Sequence, residues 1–183
     1  MIGNSMDESE HIALIRSRIR DVPDFPKPGI LFRDITTVLA DANAWRVTVD
    51  RLGQAVEPWR PDVIVGIESR GFILGATLAY TLGLGFVPVR KPGKLPHTVH
   101  TVEYELEYGS DALQIHTDAI GPGHRAVIVD DLLATGGTAG AAIALVEACG
   151  GQAVGLAVLV ELLDLDGRSR LPAQTGLVSL VSY

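Results

Sequence analysis

The sequence predicts an α/β protein built on an open, mainly parallel sheet flanked by helices. Three observations lead there. Short apolar runs rich in β-branched residues, DVIVGI (62–67), RAVIVDD (125–131) and QAVGLAVLVEL (152–162), have the continuous character of strands buried on both faces. Helical patterns at 71–82 and 137–149 separate them, an alternation that right-handed crossovers turn into a parallel sheet. The chain has 183 residues, 47% of them hydrophobic and 20% charged, enough for one domain with a sizeable core.

Taken in order, HIALIRSRIR (11–20) places apolar residues at 12, 15 and 19 between arginines and reads as an amphipathic helix. DVPDFPKPGILFRD (21–34) carries three prolines and a glycine, which predicts an ordered, non-helical arm. Asn43 is a cap candidate for a helix reaching about Glu57 and closed by Pro58. Nineteen uncharged residues, GFILGATLAYTLGLGFVPV, lie between Arg70 and Arg90, close to membrane-span length. Gly83, Gly85 and Pro88 interrupt them, which favours a buried helix over 71–82 and a buried strand over 85–90. KPGKLPHTVH (91–100) is polar and broken by two prolines, so it reads as a long mobile loop. TVEYELEYG alternates strictly and is followed across Gly109-Ser110 by DALQIHTDA, predicting a hairpin or paired edge strands. GLVSLVSY supplies a last strand.

The net charge of −7 and pI near 5.1 argue against a dedicated binder of nucleic acid or anionic membranes. The single cysteine, Cys149, excludes an intrachain disulfide, suits a reducing cytoplasm and reads as core filler. MIGNSMDESE is acidic with no apolar h-region, unlike a signal peptide.

In open parallel sheets ligands bind beyond the carboxyl ends of the strands. Three loops fall there: ESRG after DVIVGI, RKPGK after FVPV, and DDLLATGG after AVIV. In the last, Gly136 and Gly137 let successive N–H groups of Ala134–Thr138 converge on an oxyanion at a helix start, and Thr135 and Thr138 add hydroxyl donors. Asp130 and Asp131 cannot usefully face the same phosphate, but they can accept from neighbouring hydroxyls or hold a divalent cation. A phosphorylated sugar presents both groups together. Neither a Walker A loop nor a dinucleotide fingerprint is present.

The run of buried strand, DD, ATGGT and helix resembles the phosphoribosyl-diphosphate signature of type I phosphoribosyltransferases. DFPKPGILFRDIT, GIESRGFILG, RKPGKLP, YELEYG, VDDLLATGGT and LVELLDLDGR, in that order over roughly residues 15–182, resemble the adenine phosphoribosyltransferases. The resemblance implies the type I phosphoribosyltransferase fold with a small hood from the N-terminal arm (15–35) and a flexible flap (91–104). It also implies transfer of the phosphoribosyl group to N9 of adenine, giving AMP and pyrophosphate. The family uses Mg²⁺, bridged by the substrate and here possible at Asp130 and Asp131, and a homodimer is implied.

By the same resemblance, Ala134, Thr135, Gly136, Gly137 and Thr138 match the 5-phosphate loop, and Asp130 and Asp131 the ribose-binding pair. Ser69 and Arg70 match the diphosphate loop, which in the family often carries a non-proline cis peptide. Arg90, Lys91 and Lys94 match the cationic flap that meets the leaving diphosphate. Leu31 and Leu162 would sandwich the purine, with Arg33 close by. Glu107 matches the carboxylate facing purine N7, and Tyr108 the tyrosine beside it. From the strand pattern alone, Glu103, Glu105 and Glu107 share one solvated face. His97 and His100 are assigned no metal role.

Two other readings compete. A sister enzyme for 6-oxopurines would need a lysine donor after the DD strand, and LVELLDLDGR has none. A regulator that senses phosphoribosyl diphosphate on the same fold would need a nucleic-acid-binding element, for which this acidic chain has no room.

Overall fold

The computed structural model describes residues 7–105 and 110–183. They fall into two compact units that divide between Arg51 and Leu52.

In the first unit, helix α1 (Glu8–Arg18) opens with a reciprocal cap. The Asp7 carboxylate accepts from the Glu10 N–H at 2.9 Å, and the Glu10 carboxylate accepts from the Asp7 N–H at 2.9 Å. The expected apolar stripe buries Ile15 and, just past the helix, Ile19. The arm after it is a β-hairpin: β1 (Arg20–Pro23) pairs antiparallel with β2 (Leu31–Asp34). Its turn is held by the Asp24 carboxylate, which accepts from the Gly29 N–H at 2.8 Å, and by Phe25 packed edge-on against Phe32 at 5.1 Å.

Helices α2 (Thr36–Ala40) and α3 (Ala42–Val56) follow. The cap of α3 is Asp41, not Asn43. Asp41 stands one residue before the helix, where its Oδ1 accepts from the N–H groups of Asn43 and Ala44, each at 3.0 Å. Asn43 is already inside the first turn, and its side-chain oxygen accepts from Arg46 at 3.1 Å.

The second unit is a five-stranded, wholly parallel sheet in the order β4-β3-β7-β8-β9. Its strands are β3 (Val63–Ile67), β4 (Gly85–Val89), β7 (Arg125–Leu133), β8 (Gln152–Glu161) and β9 (Gly176–Ser182). Helix α4 (Arg70–Leu82) connects β3 to β4, and α5 (Gly137–Ala148) connects β7 to β8. Val63, Val65, Ile67, Ala126 and Ile128 share a core with α5 and with an antiparallel pair, β5 (Val99–Glu105) and β6 (Ser110–His116). Gly66 and Val129 face the other way, towards Gly71 and Gly75 of α4. The sheet is therefore covered on both faces, which is why its strands read as unbroken apolar runs.

The long uncharged stretch is a 13-residue helix and a short strand. Among the described residues no helix is long and apolar enough to cross a membrane. Trp59 packs against the backbone of Gly155 in β8 and Gly176 in β9. A Cβ on Gly176 would come within 2.6 Å of the indole, and one on Gly155 would overlap it.

Candidate active site

The strands do not follow chain order. From β3 the chain moves outward to β4, whereas from β7 it moves the opposite way to β8. That reversal opens a crevice beyond the carboxyl ends of β3 and β7, the place where open α/β sheets take ligands. A cavity of 190 Å³ there is lined by Arg70, Asp130, Asp131 and residues 132–139, with Leu156 and Val158 of β8. The strand expected over 125–131 includes both aspartates, and β7 runs on two residues past them. Leu132 and Leu133 continue the ladder opposite Val160 and Glu161, and Leu133 is buried.

The ATGGT turn closes the cavity. Gly136 has φ +84°, a conformation L side chains rarely adopt, and a Cβ there would come within 2.5 Å of the Gly167 carbonyl oxygen. A Cβ on Gly167 would come closer still, within 2.1 Å of the Ala134 carbonyl oxygen, so the 3₁₀ turn Gly167–Arg170 lies directly against the loop. The N-cap of α5, Gly136, has no side chain to cap with, and the helix's first turn holds no acidic residue. Its N–H groups and dipole provide the positive potential that a phosphate needs. Thr135, Gly137 and Thr138 line the same cavity.

The charges are closely paired. Buried Asp131 is in contact with the Arg70 guanidinium. Its backbone N–H donates to Asp130 Oδ1 at 2.9 Å. Burial, and then the charge of Asp131, push the Asp130 carboxyl well above its ordinary value. Gly71 leaves room for this group, since a Cβ there would lie 3.0 Å from Asp130 Oδ1.

Before Arg70, the Glu68–Ser69 peptide is cis. Glu68 itself accepts from Arg90 Nε at 3.1 Å, from the Lys91 N–H at 3.1 Å, and from Lys94 Nζ. Burial works to raise the Glu68 carboxyl, but these donors outweigh it and hold the group below its ordinary value. Lys91 Nζ donates to Asp111 at 2.7 Å.

A model of the phosphoribosyl transferase domain matches residues 41–179. The adenine phosphoribosyltransferase of Synechococcus sp. is 62% identical over 169 residues, covering 92% of this chain and 98% of that protein. The chain belongs to the adenine phosphoribosyltransferase family. The crystal structure of the Thermoanaerobacter pseudethanolicus enzyme superimposes with a TM-score of 0.91 at 52% identity, covering 94% of this chain and 99% of the other. The adenine phosphoribosyltransferase of Saccharomyces cerevisiae, complexed with an imino-altritol bisphosphate and adenine, matches with a TM-score of 0.88 at 40% identity, covering 94% and 99%. The parallel sheet and its flanking helices are the phosphoribosyltransferase fold expected from the sequence.

Within that family frame, the structure brings Arg70, Asp130, Asp131 and Ala134–Thr138 to one cavity, and Arg90 and Lys94 to Glu68, the residue before Ser69. Glu107 and Tyr108 lie outside the described residues. Leu31 and Arg33 belong to the first unit. Leu31 is 45% exposed on β2, and the Arg33 guanidinium contacts the Asp21 carboxylate. Leu162, in the second unit, donates its N–H to the Leu133 carbonyl at 3.0 Å and so ties the end of β8 to β7.

Three residues escaped the sequence reading. Glu68 sits inside the quoted GIESRG block, yet only its side-chain partners reveal a role. Glu161 is a buried carboxylate that accepts from Arg168 at 2.8 and 2.7 Å and from Ser179 at 2.7 Å. Gly167 meets the ATGGT turn across thirty residues, a closeness that no local pattern encodes.

Proposed function

We propose that this protein transfers the 5-phosphoribosyl group of phosphoribosyl diphosphate to N9 of adenine, releasing AMP and pyrophosphate. The observation that carries the reading is one cavity, at the sheet's point of reversal, that joins the Asp130–Asp131 pair to the ATGGT turn. The turn supplies N–H and hydroxyl donors for the 5-phosphate, and the carboxylates accept from the ribose diol. The yeast relative's complex with adenine supports adenine as the base.

As the N9–C1′ bond forms, the bond from C1′ to the diphosphate oxygen breaks. That oxygen keeps the electron pair; adenine attacks through the N9 lone pair of its N7–H tautomer, and the N7 proton has to be taken up by a base. Negative charge grows on the leaving diphosphate, where Arg70, Arg90, Lys91 and Lys94 would meet it. Glu107, by its family match, would be that base, its carboxylate accepting the N7–H hydrogen bond and then the proton as N9 attacks. Leu31, Arg33 and Leu162 as purine contacts, residues 15–35 as a hood and 91–104 as a closing flap belong to the same proposal.

Magnesium fits the carboxylates present. Two adjacent acids, one of them disfavoured as an anion by burial and by its neighbour, form a set that a divalent cation relieves. Magnesium is commonly held by one or two carboxylates together with substrate phosphates. Asp130 and Asp131 would hold it, and its charge would offset charge on the leaving group.

The partner in solution would be a second copy of this chain, in the cytoplasm. The outer face of α4 carries exposed Ile73, Ala76 and Tyr80 with no charged residue between Arg70 and Arg90, a surface suited to a like partner.

Incubating the purified protein with phosphoribosyl diphosphate, Mg²⁺ and each of adenine, hypoxanthine and guanine tests the reaction. AMP from adenine, with little product from the other two, is expected. Turnover of a 6-oxopurine in preference to adenine would overturn the assignment.

A further inference from the structure

The carboxylate of half-buried Glu68 has no part in the mechanism above, yet it is the meeting point of the flap's root. Its backbone N–H donates to the Val89 carbonyl at 3.0 Å, which extends the β3–β4 ladder by one residue. The side chain, 9% exposed, then reaches across the end of β4. Oε2 accepts from Arg90 Nε and the Lys91 N–H, and Oε1 accepts from Lys94 Nζ. Arg90 Nη1 closes the ring by donating to the Lys94 carbonyl at 3.2 Å. The Arg90 guanidinium also lies over the Phe72 ring, 5.9 Å from its centroid.

A carboxylate withdrawn from water is costly unless several donors meet it, and an apolar side chain would serve packing alone at lower cost. Among the described residues, the donors to the Glu68 carboxylate come from the cationic segment 90–94. The residues that follow Glu68, Ser69 and Arg70, belong to the turn assigned to the diphosphate. The carboxylate thus stands between the two groups of residues that must meet one leaving group.

We propose that Glu68 is a positioning residue for the diphosphate: it holds Arg90 and Lys94 as a preformed cationic pair beside the Ser69–Arg70 turn. The idea rests on the reaction proposed above. Lys94 has three N–H donors and gives one to Glu68, so two can still reach phosphate oxygens without the ammonium leaving its anchor. Arg90 uses Nε on Glu68 and Nη1 on the Lys94 carbonyl, and Nη2 remains to bridge. Both long side chains are ordered before the ligand arrives, so binding does not have to order them.

Glu68→Gln tests this, because it keeps the shape and an acceptor for the Lys91 N–H while removing the charge that gathers the cations. Losing charge-assisted hydrogen bonds should raise the KM for phosphoribosyl diphosphate roughly tenfold or more. The KM for adenine should stay within about twofold, since the base is read elsewhere. Because Glu68 acts in part through Lys94, the losses in the double variant Glu68→Gln/Lys94→Met should be clearly less than additive, the remainder being the hold on Arg90.

Calorimetry with Mg²⁺-pyrophosphate and with AMP gives a readout independent of turnover. Pyrophosphate affinity should fall about tenfold in Glu68→Gln and AMP affinity should hold. An unchanged or lower KM for phosphoribosyl diphosphate, equal rises in both KM values, fully additive losses with Lys94→Met, or unchanged pyrophosphate affinity would each overturn the positioning role. A wild-type protein that makes no AMP would instead sink the proposed reaction, and the pyrophosphate measurement would still decide the role of Glu68.

Discussion

Asp130 is the residue whose chemistry and stability pull in opposite directions. It stands beside a second carboxylate at the rim of the core, and its carboxyl is held well above the ordinary 3.8. A carboxyl raised in the folded state binds its proton more tightly there than in the unfolded chain. Stability is therefore complete below the ordinary value and falls as pH rises from about 3.8 towards the higher folded value. Asp130→Asn should consequently raise Tm at pH 7.5 by about 2–4 °C, with less gain near pH 4, while weakening phosphoribosyl diphosphate binding. Thermal melts at the two pH values and a KM determination check this, and a destabilised variant would make the pair structural. Glu107→Leu should lower kcat by about 10²-fold or more with the KM for phosphoribosyl diphosphate little changed, as expected for a group acting only on the base. Steady-state AMP formation checks it, with Glu103→Leu, an exposed position on β5, as the control.

At the scale of elements, the ATGGT turn depends on a segment far along the chain. Glu161 anchors Arg168 through two bonds, and Gly167 beside it meets the carbonyls of the turn. Gly167→Ala would press a methyl group into the Ala134 carbonyl, so it should displace the loop and raise the KM for phosphoribosyl diphosphate at least about tenfold. Gly140→Ala, inside α5 with open space around it, should instead stabilise the protein by about 0.5–1 kcal/mol. Kinetics and melting of the pair separate a shaped contact from a general intolerance of alanine.

This contact also marks what the sequence could reveal. Strands β3, β7 and β8 and helices α4 and α5 were legible because burial on both faces writes itself as unbroken β-branched runs, and helices as their interruptions. Asp130, Asp131 and the ATGGT turn were legible because strand, acids, glycines and helix follow one another locally. The cap of α3 was not, since ADANA offers two capping residues two positions apart and only backbone geometry chooses between them. Gly167, Glu161 and Glu68 act through partners distant in the chain or on a neighbouring strand, and such pairing leaves no periodic trace.

At the scale of the whole molecule, the outer face of α4 bears on assembly. Tyr80 is 88% exposed on a helix that carries no charge beyond its first residue, Arg70, an arrangement a lone soluble chain rarely keeps. Placing a charge there should oppose association of like copies, because a desolvated, unpaired charge is costly in an interface. Tyr80→Glu, or Ala76→Arg on the same face, should convert the proposed dimer to a monomer in sedimentation, with the far-ultraviolet spectrum unchanged. A wild-type protein that sediments as a monomer would remove this reading of the face.

Trp59 has a further use. The chain contains two tryptophans, and they fall on opposite sides of the boundary between the compact units: Trp45 before Arg51, and Trp59 after it. Trp59 rests on the bare backbone of Gly155 and Gly176, so its indole is a natural fluorophore for the docking of β8 and β9. With Trp45→Phe, emission would follow the sheet unit alone; with Trp59→Phe, it would follow the hairpin unit. Two denaturation curves from these single-tryptophan proteins would show directly whether the units melt together or one after the other.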